Sequence, residues 1–206
     1  MANNMKVGLF SGSFNPIHVG HLVVANYMLE FTSLDEVWFV VTPHSPLKRQ
    51  EELLDDQLRL DMVRLALKEY EGLFASDIEF HLPRPSYTVE TLAALDKEYP
   101  EKEFHLIIGG DNWVIFDRWY EHERILQKYG ILIYPRKGEE VSIPHRYRDS
   151  VQVVKAPLVE ISSTFIRESL KQGKNMRAFL PPGVYEFILE RDLYRSSPLR
   201  TASRRG

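Results

Sequence analysis

Short apolar runs alternate with amphipathic ones along almost the whole chain. Residues 6–10, 36–41, 74–79, 103–108, 130–134 and 151–155 read as strands, and 18–31, 55–70, 88–99, 120–128, 163–172 and 182–190 as helices. The strand runs are mostly apolar rather than alternating, the pattern of strands covered on both faces. Strand–helix alternation of this kind predicts an α/β fold with a doubly wound, mostly parallel sheet. At 206 residues the chain is expected to form one domain over 1–194, with a small helical C-terminal part at 163–194. Residues 195–206 are polar and carry Arg195, Arg200, Arg204 and Arg205, and are expected to be a mobile tail.

Composition removes several kinds of chemistry. There is no cysteine, which excludes disulfides, thiolate catalysis and cysteine-ligated zinc. The net charge of −3 lacks the basic excess of a general nucleic-acid-binding surface. No N-terminal run has signal-peptide form and no apolar run approaches membrane-spanning length, so a cytoplasmic protein with no membrane partner is expected. A homo-oligomer is compatible with the sequence.

Ligands of a doubly wound sheet bind at the C-terminal ends of its strands. The residues that stand out lie there. Gly12-Ser13-Phe14-Asn15-Pro16-Ile17-His18-Val19-Gly20-His21 joins the first strand to the first helix. A helix start with free N–H groups and the positive end of its dipole attracts phosphate, and His18 and His21 add donors there. Metal binding is disfavoured, because a zinc helix usually spaces histidines four apart with a carboxylate nearby. Thr42 to Lys48 follow the second strand, Gly109, Gly110 and Asp111 the fourth, Arg136 the fifth, and Ser162, Ser163 and Thr164 the sixth. Ile161-Ser162-Ser163-Thr164-Phe165-Ile166-Arg167 is a second hydroxyl-rich helix start. Capping alone explains one of its hydroxyls and leaves the rest, with Arg167, unaccounted for. Trp119 has two readings: core, as a lone tryptophan more often is, or a platform for a cationic ring. His44, His81, His105, His122 and His145 read as surface or structural residues, and Glu139-Glu140 as a solvated pair.

The two phosphate motifs resemble those of the nucleotidyltransferase superfamily with His-x-Gly-His and Ile-Ser-Ser-Thr-x-Ile-Arg signatures. Three further segments are similar to the bacterial nicotinate mononucleotide adenylyltransferases: Ser86-Tyr87-Thr88, Gly109-Gly110-Asp111 with Trp119-Tyr120, and the stretch from Lys174 to Tyr185 ending near Tyr194. The resemblance runs from about residue 6 to 194. Ser11 stands where a second glycine is usual and Asn15 where aspartate is usual. Ser11 is expected to be tolerated if its backbone is not left-handed.

The resemblance implies a Rossmann-like fold and adenylyl transfer from ATP to nicotinate mononucleotide, giving deamido-NAD and pyrophosphate. It implies ATP contacts from Gly12, Ser13, Phe14, His18, His21, Gly109, Asp111, Ile161, Ser162, Ser163, Thr164 and Arg167. For the mononucleotide it implies Asn15, Lys48, Ser86, Tyr87, Thr88, Trp119, Tyr120 and Arg136. His18, His21, Lys48 and Arg167 would carry the chemistry, with Mg²⁺ riding on the ATP phosphates and no protein metal site. Backbone N–H groups near Tyr87 and Thr88 would favour the ring carboxylate of nicotinate. The alternatives are a sister enzyme acting on nicotinamide mononucleotide or phosphopantetheine, a cytidylyltransferase, and a non-catalytic nucleotide-binding module.

Overall fold

The computed structural model describes residues 4–43, 53–138 and 141–194. Six strands, β1 (Met5–Gly12), β2 (Glu36–Val41), β3 (Leu73–Ser76), β4 (Lys102–Gly109), β5 (Gly130–Tyr134) and β6 (Val151–Val153), form one sheet in the order β3-β2-β1-β4-β5-β6. Every neighbouring pair is parallel. This is the Rossmann-like strand order, and it reverses between β1 and β4. The helices are α1 (Val19–Phe31), α2 (Asp56–Leu67), α3 (Thr88–Glu98), α4 (Gly110–Val114), α5 (His122–Lys128), α6 (Ser163–Lys171) and α7 (Val184–Glu190).

The strand sequences are apolar throughout because successive side chains feed two cores. Phe10, Val37, Phe39, Val41, Ile107 and Leu132 point to the face covered by α1, α2, α6 and α7. Val7, Leu9, Trp38, Val40, Leu106 and Ile131 point to the face covered by α3 and α5. Helices α6 and α7 share the first core, through Ile166, Leu170, Val184 and Ile188. The C-terminal helical part is therefore packed onto the sheet.

Several boundaries differ from expectation. The third strand ends at Ser76, and Ile78–His81 is a 3₁₀ turn. Ser76 Oγ takes the Ile78 N–H at 3.3 Å and the Asp77 carbonyl takes the Phe80 N–H at 2.8 Å, so local turn bonds replace the ladder. The fifth helix starts at His122, since Glu121 before it is left-handed at φ 50° and Phe116–Arg118 forms a separate 3₁₀ turn. Helix α4 begins directly on the last residue of β4 and had no periodic signature of its own, being five residues long. β1 runs on through Ser11 to Gly12, pairing Gly12 with Val41. Ser11 is ordinary strand backbone. No helix is long and apolar enough to cross a membrane among the described residues.

Candidate nucleotide site

A cavity of about 650 Å³ opens where the strand order reverses. Its walls come from the end of β1 and the following turn, the start of α1, Asp111 and Asn112 of α4, Tyr134 at the end of β5 and Arg136 just beyond it, and the start of α6. Residues as far apart in sequence as Asn15 and Arg167, 152 positions, thus converge on one opening.

His18 is the N-cap of α1, extended at φ −144° and ψ 168°. Its ring is buried and stacks on that of His21, centroids 3.7 Å apart. The His18 backbone N–H donates to His21 Nδ1 at 3.2 Å. Nδ1 of His21 is therefore an acceptor, and its ring proton lies on Nε2 in the neutral form. Gly20 is the reason the rings fit: a Cβ there would lie 3.0 Å from His18 Nδ1 and 3.2 Å from Val159 Cγ1. Burial, then the charge of Arg136, pushes the His18 pKa down to about 4. At physiological pH His18 is therefore a neutral imidazole, with one ring nitrogen able to donate and the other to accept.

Among the described residues, three buried polar atoms of the cavity wall, Ser11 Oγ, His18 Nδ1 and Arg136 Nε, find no hydrogen-bond partner. Buried polar groups are almost always satisfied, so three at one opening mark a place for a polar ligand. Arg136 Nη2 donates to Tyr134 Oη at 3.0 Å, while its Nε is 3.7 Å from Asp111 Oδ1. Gly109 closes β4 against this pair; a Cβ there would meet Asp111 Oδ1 at 2.3 Å.

The start of α6 forms a further wall, tied to the turn after β1. Ser162 Oγ caps the helix by accepting the Phe165 N–H at 3.1 Å. Ser163 Oγ donates to the Pro16 carbonyl at 2.9 Å. A hydroxyl has one proton, and the Ser163 side chain spends it on tethering the two phosphate motifs to each other. Arg167, buried, donates from Nη1 to the Asn15 carbonyl at 3.0 Å and from Nη2 to Thr164 Oγ1 at 3.4 Å. Ile161 lines the same wall.

Two residues that the resemblance assigns to the mononucleotide, Arg136 and Asn15, line this cavity. Arg136 faces His18 and Asp111. Asn15 is buried, and its Oδ1 accepts from Tyr194 Oη at 2.6 Å and from the Leu54 N–H at 3.4 Å. The neutral carboxamide is thus a structural acceptor joining the β1 turn to the end of α7. Lys48 lies outside the described residues.

The remaining expected residues assemble elsewhere. Tyr87 and Tyr120, both exposed, pack against each other with ring centroids 4.6 Å apart and planes tilted by 39°. Trp119 is half-buried against Phe116 at 5.2 Å, so part of it belongs to the core and part remains accessible. Ser86 Oγ donates to Glu79 Oε2 at 3.2 Å, and Thr91 Oγ1 to Glu79 Oε1 at 3.0 Å. Burial pushes the Glu79 carboxyl upward, partly offset by those two hydroxyls. The Tyr87 N–H, expected to be open to a ligand carboxylate, donates to Glu90 Oε2 at 3.4 Å. Thr88 opens α3 beside it.

Among the described residues no group of three His, Asp or Glu side chains is arranged as metal ligands. Glu79 and Arg59 went unnoticed in the sequence. Arg59 had a signal: it occupies the buried stripe of α2 with Met62, Val63 and Ala66.

A sheet in this order, with unsatisfied donors and two helix starts at its reversal, defines a nucleotide-binding α/β protein. The chain belongs to the cytidylyltransferase-like family, whose model matches residues 9–169. It is 57% identical over 185 residues to a protein of Bacteroides fragilis named "Probable nicotinate-nucleotide adenylyltransferase", covering 90% of this chain and 92% of that one. A protein of Flavobacterium johnsoniae with the same name is 51% identical over 192 residues, 93% of this chain and all of that one. The nicotinic acid mononucleotide adenylyltransferase of Plasmodium falciparum, solved in complex with NaAD, shares the fold with a TM-score of 0.77 at 19% identity, over 92% of this chain and 97% of that one.

Proposed function

We propose that this chain transfers the adenylyl group of ATP to nicotinate mononucleotide, releasing pyrophosphate and deamido-NAD. The observation that carries the reading is the cavity at the β1/β4 reversal, where the stacked His18–His21 pair faces Arg136 and the start of α6. The relatives from Bacteroides fragilis and Flavobacterium johnsoniae support the choice of acceptor.

The acceptor phosphate is its own nucleophile, since the second pKa of a phosphate monoester is about 6. It attacks the α-phosphorus in line, the bond to the β-phosphate oxygen breaks, and pyrophosphate leaves. No covalent enzyme intermediate is needed. Catalysis is then positioning plus stabilisation of charge on the transferring group. His21 Nε2–H and the neutral His18 donate to that group. The first N–H groups of α6 and Arg167 hold the β- and γ-phosphates. Arg136 neutralises charge across the cavity from His18. Asp111, exposed at the rim, is suited to the ribose hydroxyls. Mg²⁺ arrives as part of the Mg·ATP substrate, keeping its own waters. Lys48 and the Tyr87–Tyr120 and Trp119 surfaces serve the pyridine mononucleotide.

The deciding assay is pyrophosphate release with Mg·ATP and three acceptors: nicotinate mononucleotide, nicotinamide mononucleotide and phosphopantetheine. Nicotinate mononucleotide is expected to give the highest kcat/KM. Preference for either of the others reassigns the acceptor, and release with none of the three leaves a nucleotide-binding module.

A further inference from the structure

We propose that Arg59 is a positioning residue for adenylyl transfer, holding the Ser13–Phe14 peptide so that the Phe14 N–H is presented to the transferring phosphoryl group. The proposal rests on the adenylyl-transfer reading above. Arg59 has no exposed surface and sits on the apolar stripe of α2 among Leu60, Met62 and Val63. A guanidinium there costs several kcal/mol in lost hydration unless its donors are matched, and an apolar side chain of similar size is often as stable. Packing alone therefore gives no reason for an arginine at this position.

Its bonds give one. Nη1 donates to the Ser13 carbonyl at 2.6 Å and to the Thr42 carbonyl at 2.9 Å. Nε donates to the Leu54 carbonyl at 3.0 Å, and Nη2 to Asp56 Oδ1 at 2.5 Å. A planar fork is suited to hold carbonyls from three segments at once; a single ammonium is not. The held carbonyls are the exit of β1, the exit of β2 and the lead-in to α2.

The Ser13 carbonyl belongs to the same peptide as the Phe14 N–H. That peptide is trans, so the two groups point to opposite sides of it. With its carbonyl drawn to Arg59, the N–H is directed away from α2. Ser13 and Phe14 line the cavity with His18 and His21. The Phe14 N–H has no hydrogen-bond partner among the described residues. Phe14 is also left-handed at φ 44°, a conformation that is unfavourable for a residue with a Cβ and persists only where the surroundings hold it. Arg59 on one side and the burial of the Phe14 ring against Phe10 and Phe39 on the other supply that hold.

An N–H aimed at developing charge acts in the transition state more than in the ground state, and removing one such donor typically costs about 10²–10³ in turnover. In Arg59→Lys, kcat is expected to fall about 100-fold, with the KM for the mononucleotide and the Kd for α,β-methylene-ATP within about 3-fold of wild type. A role confined to folding would lower the melting temperature and leave kcat of the folded variant within about 3-fold, which overturns the proposal. So does a loss confined to nucleotide affinity. A second arm needs no variant and no acceptor. In wild-type protein labelled with ¹⁵N-phenylalanine, saturation with α,β-methylene-ATP is expected to move the Phe14 amide proton downfield. An unmoved Phe14 amide overturns the proposal, including where Arg59→Lys fails to fold. Failure of pyrophosphate release in wild type counts against the adenylyl-transfer reading, whereas the amide shift tests the placement of the N–H by itself.

Discussion

The imidazoles of His18 and His21 stack with centroids 3.7 Å apart and planes 23° apart. Two cationic rings at that distance would repel, and burial with Arg136 nearby removes the charge from His18. His18 is therefore held neutral beside the His21 ring. The two residues between them, Val19 and Gly20, open the first turn of α1, which brings both rings to the same end of the helix, and Gly20 leaves room for them.

His21→Ala removes the donor closest in role to the bond being broken. Turnover should fall on the order of 10²–10³-fold, while ATP affinity changes only a few-fold. Steady-state kinetics alongside titration with a non-hydrolysable analogue separates the two. Near-normal turnover removes His21 from the reacting centre.

His18 also links stability to pH. Its folded pKa, about 4, lies below the ordinary 6.5, so the unfolded chain binds the proton more tightly. The contribution is present above pH 6.5 and is lost as the pH falls toward 4. Between pH 7 and 5 it amounts to about 2 kcal/mol. Urea unfolding should show wild type losing about that much more than His18→Asn over the same interval. Equal losses would mean that His18 is not buried as a neutral ring.

Gly20→Ala separates activity from stability. Alanine is the better helix former by about 1 kcal/mol, which works in favour of the fold. Its Cβ would crowd His18 Nδ1 at 3.0 Å. A kcat about 10-fold lower with an unchanged or slightly raised melting temperature is expected. Full activity would show that the His18 ring shifts without consequence.

Trp119→Ala tests the acceptor side alone. The indole lies against Phe116 and beyond the walls of the phosphate cavity. The KM for nicotinate mononucleotide should rise at least about 10-fold while that for ATP stays within about 2-fold, consistent with an aromatic–cation contact of about 1–2 kcal/mol. Equal losses for both substrates would make Trp119 a core residue.

Much of this protein was already legible as one-dimensional pattern. Apolar runs without alternation announced strands covered on both faces, and the parallel sheet followed. The two helix starts, Gly12 to His21 and Ser162 to Arg167, were visible because phosphate chemistry needs small residues, hydroxyls and cations within a few positions of each other. Tertiary structure decided what such residues do once they are close. Ser163 gives its hydroxyl proton to Pro16, Asn15 is the acceptor for Tyr194, and Arg136 lines the same cavity as His18. Arg59 shows the division most sharply. Its place on the stripe of α2 is in the sequence, but the carbonyls it gathers, Ser13, Thr42 and Leu54, come from segments up to 46 residues away. A pattern records which groups are available; which donor meets which acceptor depends on distances that exist only after the sheet and its helices have packed.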